Sequence, residues 1–146
     1  MFSHILIPAD GSPSADSAVK RAIKLAKELN ASVTGLHVAE PFHTLDADSK
    51  VLPERRARHE KLSKAYAEKI LDALENDAKS EGVAAFHRAF AVSDEPYAAI
   101  IATARDKGCD LIAMASHGRR GLQALVLGSE THKVLLHSKI PVLVYR

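Results

Sequence analysis

The sequence predicts an α/β fold, a doubly wound five-stranded parallel sheet with helices on both faces. Three observations predict it. Strand-like and helix-like segments alternate along the chain, no hairpin signal joins two strands, and DLIAMA, from Asp110, is a continuous apolar run of the kind that a strand covered on both faces needs. At 146 residues the chain is expected to form one domain over 1–146, without repeats or low-complexity tracts.

HILIPAD, from His4, has strand length and is ended by Pro8, Asp10 and Gly11. Ser12 before Pro13 reads as an N-cap and first helical residue, and Ala15, Ala18, Val19, Ala22, Ile23, Ala26 and Leu29 then recur at helical spacing to about Asn30. SVTGLHVAE, from Ser32, is the second strand and Pro41 stops it. Glu40 to Pro53 carry no clear period and are expected to form a long loop. Leu62, Tyr66, Ile70, Ala73, Leu74 and Ala78 mark a helix over 54–80 that Gly82 ends. Ala84 to Val92 alternates as an edge strand, with Phe86, Phe90 and Val92 on one side and His87 on the other. Asp94, Glu95 and Pro96 open a helix whose stripe is Tyr97, Ile100, Ile101 and Ala104. After DLIAMA, a last helix runs through Val134, Leu135 and Leu136, and IPVLVYR is the final strand.

Composition narrows the function classes. With 20 Lys and Arg against 18 Asp and Glu, the formal charge is +2 and no cationic stripe stands out, so no nucleic-acid partner is expected. The amino terminus does not read as a signal peptide and nothing approaches a membrane span, so no membrane association and a cytoplasmic location are expected. The single cysteine, Cys109, excludes an internal disulfide framework and reads as a small apolar side chain at a helix-to-strand turn. The eight histidines show no pair at metal-ligand spacing, so no protein-borne metal site is expected.

In open parallel sheets, ligands sit beyond the carboxyl ends of the strands where the strand order reverses. This selects PADGS after the first strand, HVAEP after the second and ASHGRRG after the fourth. Neither GxGxxG nor GxxxxGK[ST] occurs, so an ordinary dinucleotide fold and a P-loop are both unsupported. What occurs instead is Gly118, nine intervening residues, then Gly128-Ser129 before the last helix. Bare glycine backbone, a helix N-terminus and the Ser129 hydroxyl can together grip a polyphosphate. The same residues also read as plain structure, with Gly118 and Gly121 making turns and Ser129 capping the helix. Asp10 reads either as a ligand contact or as a helix-favouring carboxylate, Met114 as core or base contact, and Arg119 and Arg120 as phosphate neighbours or solvated cations.

The chain resembles the universal stress protein family over essentially its whole length, through PADGS, LHV, DLIAMASHGRRG, LVLGSE and PVLVYR. Nucleotide-binding members carry Gly, two residues, Gly, nine residues, then Gly and Ser or Thr. Gly118, Gly128 and Ser129 match, and Ala115 replaces the first glycine. The resemblance implies strand order 3-2-1-4-5 and an ATP site, with magnesium arriving on the nucleotide. In that site Asp10 accepts from the ribose hydroxyls and the main chain at Val38 reads the adenine edge. The loop from Ala115 to Gly118 passes under ribose and phosphates, and Gly128, Ser129 and the following amides hold the terminal phosphates. Pro8, Ala9, Met114, Ser116, His117, Arg119, Gly121 and Glu130 complete the implied site. It also implies a homodimer through the C-terminal strand, whose apolar edge would otherwise stay open. Glu130 and the two arginines are the only candidates for activating water, so a regulatory or interaction module is expected, with slow ATP hydrolysis at most.

Overall fold

The strands β1 (His4–Pro8), β2 (Ser32–Ala39), β3 (Phe86–Val92), β4 (Leu111–Ala115) and β5 (Val142–Tyr145) form one sheet in the order β3-β2-β1-β4-β5. Every pairing is parallel, as the sequence predicts. A computed structural model describes residues 1–43, 52–117 and 127–146. The chain winds outward from β1 to β3, then crosses to β4 on the other side of β1. The switch in strand order therefore lies between β1 and β4.

Two helices cover each face. α1 (Pro13–Glu28) and α2 (Leu52–Glu81) pack over Ile5, Ile7 and Val33, and α3 (Pro96–Asp106) and α4 (Ser129–His137) over Leu6, Leu36 and Ile112. The alternation of β1 sends Ile5 and Ile7 to one layer and Leu6 to the other. All three are fully buried, each contributing about 1.5–3 kcal/mol to folding. α1 starts as its sequence dictates: Ser12 Oγ accepts from the Ala15 N–H at 3.3 Å, and Pro13 stands where no amide donor is needed. Its buried stripe is Ala15, Ala18, Val19, Ala22, Ile23 and Ala26. Cys109 is buried at the turn from α3 into β4.

The apolar stripe of α2 departs from expectation, and that of β3 is only partly covered. α2 begins at Leu52, and its buried residues are Ala67, Leu71, Leu74 and Ala78, while Leu62 stands exposed. On β3, Phe86 packs against the α1/α2 layer, but Phe90 is 44% and Val92 55% exposed. Ala89 and Ala91, of opposite parity, pack against the other layer. Between Phe86 and Phe90, Arg88 reaches Asp72 and Glu75 on α2, so this face of the edge strand β3 carries an ion pair between its two aromatic residues.

At the opposite end of the sheet, the Asp110 carboxylate accepts from the N–H groups of Ser3 (2.8 Å) and His4 (3.0 Å) and from the Ser3 hydroxyl (3.0 Å). His4 Nε2 hydrogen-bonds Thr34 Oγ1 at 2.7 Å. Burial, and then the neighbouring His87, hold the His4 imidazole below its ordinary 6.5, with Asp110 opposing them. The unfolded chain therefore protonates this histidine first as pH falls. The stability linked to neutral His4 is complete above pH 6.5 and is lost as pH drops from 6.5 through the lower folded value. Melting curves should show a decline in this window that is shallower in His4→Gln; equal slopes in the two proteins would contradict it.

Candidate functional site

The ends of β1 and β4 lie side by side at the switch point, since Ile5 and Leu6 pair with Leu111 and Ile112. At the end of β1, Pro8 and the following Ala9 and Asp10 are half-buried. The Ser12 N–H donates to Asp10 Oδ1 at 2.9 Å, and the Tyr66 hydroxyl donates to the Asp10 carbonyl at 3.0 Å. Gly11 follows at φ +79°, in the left-handed region that favours glycine. A Cβ there would lie 2.9 Å from Tyr66 Oη and 3.0 Å from Ile70 Cδ1, so the bare residue also lets α2 approach. Asp10 is therefore held by a turn, and the helix cap is Ser12.

Beyond β4, Met114 is buried and belongs to the core group of Leu6, Leu36 and Ile112, while Ala115 is half-buried at the strand's end. The Ala115 carbonyl accepts from the buried Thr131 hydroxyl at 2.9 Å. Ser116 is tied on both sides: its N–H donates to the Tyr145 carbonyl at 2.8 Å, and its carbonyl accepts from the Gly128 N–H at 2.7 Å. These bonds pin the first turn of α4 against the end of β4. Ser116 Oγ and His117 Nδ1 lie 3.0 Å apart, and His117 Nε2 is buried with no hydrogen-bond partner among the described residues.

The role of Ser129 differs from the capping alternative. Gly128 is the N-cap, at φ −60° and ψ 148°, and supplies no side-chain cap; Ser129 is the first helical residue and is exposed. Among the described residues, the first-turn amides of α4 thus have no side-chain acceptor, which suits an anion. Gly128 is required here for space, because a Cβ would come within 2.9 Å of the Ser116 carbonyl oxygen. Its own N–H is already committed to that oxygen, which leaves the amides after it as the donors.

Glu130 faces elsewhere. Its Oε2 accepts from the Tyr97 N–H at 2.8 Å, closing the start of α3, where Glu95 makes no side-chain cap bond, and its Oε1 lies 3.6 Å from Lys133 Nζ. Glu130→Ala should therefore cost about 1 kcal/mol of stability through the lost cap, read by urea denaturation. ATP hydrolysis should be the same in Glu130→Gln as in the parent.

Gly118, Arg119, Arg120 and Gly121 lie outside the described residues. The structure gathers Pro8 to Asp10, Ala115 to His117, Gly128 and Ser129 at one end of the sheet, with Val38 on the far side of β1. It adds two residues that sequence reasoning passed over, His37 and Tyr66, whose bonds to this region span 28 and 56 residues. A cavity of about 280 Å³ between α1 and α2 touches Ala9 and Gly11 but is lined by neither Val38 nor Gly128, so it lies beside this cradle. Among the described residues, no three His, Cys, Asp or Glu side chains are grouped to hold a metal ion, and no helix is long and apolar enough to cross a membrane.

A parallel sheet in this order, with a glycine-opened helix start beside the end of β4, defines a doubly wound α/β domain whose ligand-facing loops meet between β1 and β4. The sequence pattern of the Universal stress protein family matches residues 1–146, and the chain belongs to that family. Universal stress protein YxiE of Bacillus subtilis is 35% identical over 152 residues, covering 100% of both chains. Among solved structures, universal stress protein UspA from Lactobacillus plantarum shares the fold with a TM-score of 0.80 at 24% identity, over 99% of this chain and 98% of that one. A universal stress protein solved in complex with cAMP superposes with a TM-score of 0.72 at 23% identity, over 99% of this chain and 97% of that one.

Proposed function

We propose that this protein binds ATP at the β1/β4 switch point and acts as a nucleotide-dependent regulatory or interaction module in the cytoplasm. The observation that carries the reading is the start of α4. A helix capped by a glycine, with no side chain among the described residues satisfying its first amides, is fixed against the end of β4 by the bonds from Gly128 to Ser116 and from Thr131 to Ala115. The buried His117 Nε2 beside it, without a hydrogen-bond partner among the described residues, fits a polar ligand as well. Asp10 would accept from the ribose hydroxyls, the main chain of Val38 would face the adenine, and the amides from Ser129 onward would donate to the phosphates. Magnesium would enter on the phosphates. The cAMP complex of a structural neighbour supports an adenine nucleotide as the ligand class.

Hydrolysis is expected to be slow or absent, because the Glu130 carboxylate is engaged at α3 and is not poised to orient water. Mass spectrometry of ligand released from freshly purified protein, followed by calorimetry with ATP and AMP, tests the reading. Recovery of ATP supports it, whereas no ligand and no heat at millimolar ATP with magnesium would reject it.

The same proposal includes a homodimer through β5. This edge strand is the apolar run VLVY, and the helix leading into it exposes Leu135 (43%) and Leu136 (65%). Light scattering should give a dimer at micromolar concentration, and a charge at Val142 or Val144 should shift it toward monomer.

A further inference from the structure

Hydrogen bonds along β2 alternate strictly between its two neighbours. The Ser32 N–H donates to the Ser3 carbonyl at 2.9 Å, and the Leu36 carbonyl accepts from the Ala9 N–H at 2.8 Å, so even-numbered residues turn their polar groups toward β1. The Val33 N–H donates to the Ala85 carbonyl and the Ala39 carbonyl accepts from the Ser93 N–H, both at 2.9 Å, so odd-numbered residues turn toward β3. Val38 therefore aims its N–H and C=O at the β1 side. In a parallel ladder the next partner for the Val38 N–H is the Ala9 carbonyl. That rung does not form: the β1–β2 register ends at Pro8 and Leu36, and the Ala9 carbonyl instead accepts from His37 Nδ1 at 2.8 Å.

His37 is buried and its ring is fixed by the edge-on ring of Tyr66, with centroids 5.5 Å apart at 75°. The Tyr66 hydroxyl holds the following carbonyl, that of Asp10. Two side chains on the α2 face of the sheet thus hold the two consecutive carbonyls that follow β1, of which that of Ala9 is the one facing β2. We infer that His37 is a specificity-determining positioning residue: by capturing the Ala9 carbonyl it stops the β1–β2 ladder one rung early and keeps the Val38 N–H and C=O available to an adenine edge. The inference rests on the ATP reading above, and it assigns to His37 a role that needs no contact with the nucleotide. An adenine presents an acceptor nitrogen beside an amino group, which complements a main-chain N–H and C=O pair; hypoxanthine presents the reverse and does not.

Amide hydrogen exchange by NMR, with and without nucleotide, combined with calorimetry, provides the test. In the nucleotide-free parent the Val38 amide should exchange faster than its strand neighbours, and ATP should slow it. His37→Phe keeps a ring against Tyr66 but offers no donor, so the Ala9 carbonyl should take the Val38 N–H. The Val38 amide should then be protected without nucleotide, ATP should bind about tenfold more weakly, and the preference for ATP over ITP should fall toward one. His37→Asn, whose carboxamide can donate near the position of Nδ1, should restore most of both. A Val38 amide already protected in the nucleotide-free parent would overturn the inference, as would a folded His37→Phe protein with parental exchange and parental ATP affinity. A parent that binds no ATP overturns the nucleotide reading, and with it the purpose given to the open rung. The two failures are distinguishable because the exchange pattern is read without ligand.

Discussion

Gly128→Val is expected to weaken ATP binding tenfold or more and to lower stability even in nucleotide-free protein. The obstacle to the new Cβ is the Ser116 carbonyl oxygen, 2.9 Å from its position, and a backbone atom cannot swing aside as a side-chain end can. That carbonyl also accepts the Gly128 N–H, so relief of the clash stretches the bond that sets α4 against β4. Strain of this kind costs about 1–3 kcal/mol. Displacing the first turn misaims the amides after Gly128, and losing one or two charge-assisted hydrogen bonds accounts for the tenfold effect. Calorimetry on folded protein, with melting curves run beside it, separates the two losses. A Gly128→Val protein that melts and binds ATP as the parent does would contradict both.

Gly35→Val should be the most destabilising of the substitutions considered, with little effect on the nucleotide affinity of the molecules that remain folded. Gly35 is buried in β2 beneath α2, where a Cβ would meet the Leu74 side chain and lie 2.8 Å from Phe86 Cζ. Both neighbours pack in the α1/α2 layer, so the added volume has to be absorbed by lifting α2 or turning Phe86 outward. A penalty toward the upper end of about 1–3 kcal/mol follows, roughly a 5–10 °C fall in Tm for a chain of this length. Leu74→Ala in the same background should recover part of it. Urea or thermal unfolding measures the loss, and a parental Tm would show that α2 sits less tightly on β2 than described.

Much of the fold was legible because its signals are local. The Ser12-Pro13 step, the alanine-rich stripe of α1 and the fully apolar LIAMA strand each act within a few residues, and each produced the element expected. Alternation puts Phe90 and Val92 on one side of β3 with Phe86 but does not report whether a helix covers that side, and the buried face of α2 leaves that end of β3 open. In the same way, the helical run through Val134, Leu135 and Leu136 does not report that only Val134 is buried. At the candidate site, the sequence brought Asp10 and the Gly128-Ser129 step into view as chemistry. It could not show that Gly128 rather than Ser129 is the cap, nor that Glu130 serves the start of α3, because both depend on how α4 docks. His37 lay within a strand motif and Tyr66 within a helical stripe, and nothing nearby in sequence marks either as reaching the end of β1.

The two rims of the sheet differ in what they allow a growing assembly to do. β3 holds Arg88 over its α2 face, tied to Asp72 and Glu75, beside the exposed His87, whereas β5 is four uncharged residues. A strand approaching β3 must accommodate the charge of Arg88 on the strand itself; one approaching β5 meets uncharged strand residues, with Arg21 held over the Tyr145 ring on one face. Under the proposed pairing, each chain spends its β5 rim on its mate and presents only the β3 rims, which carry Arg88, outward. Such a unit terminates after one addition, so raising the concentration of this protein multiplies pairs and does not lengthen a ribbon.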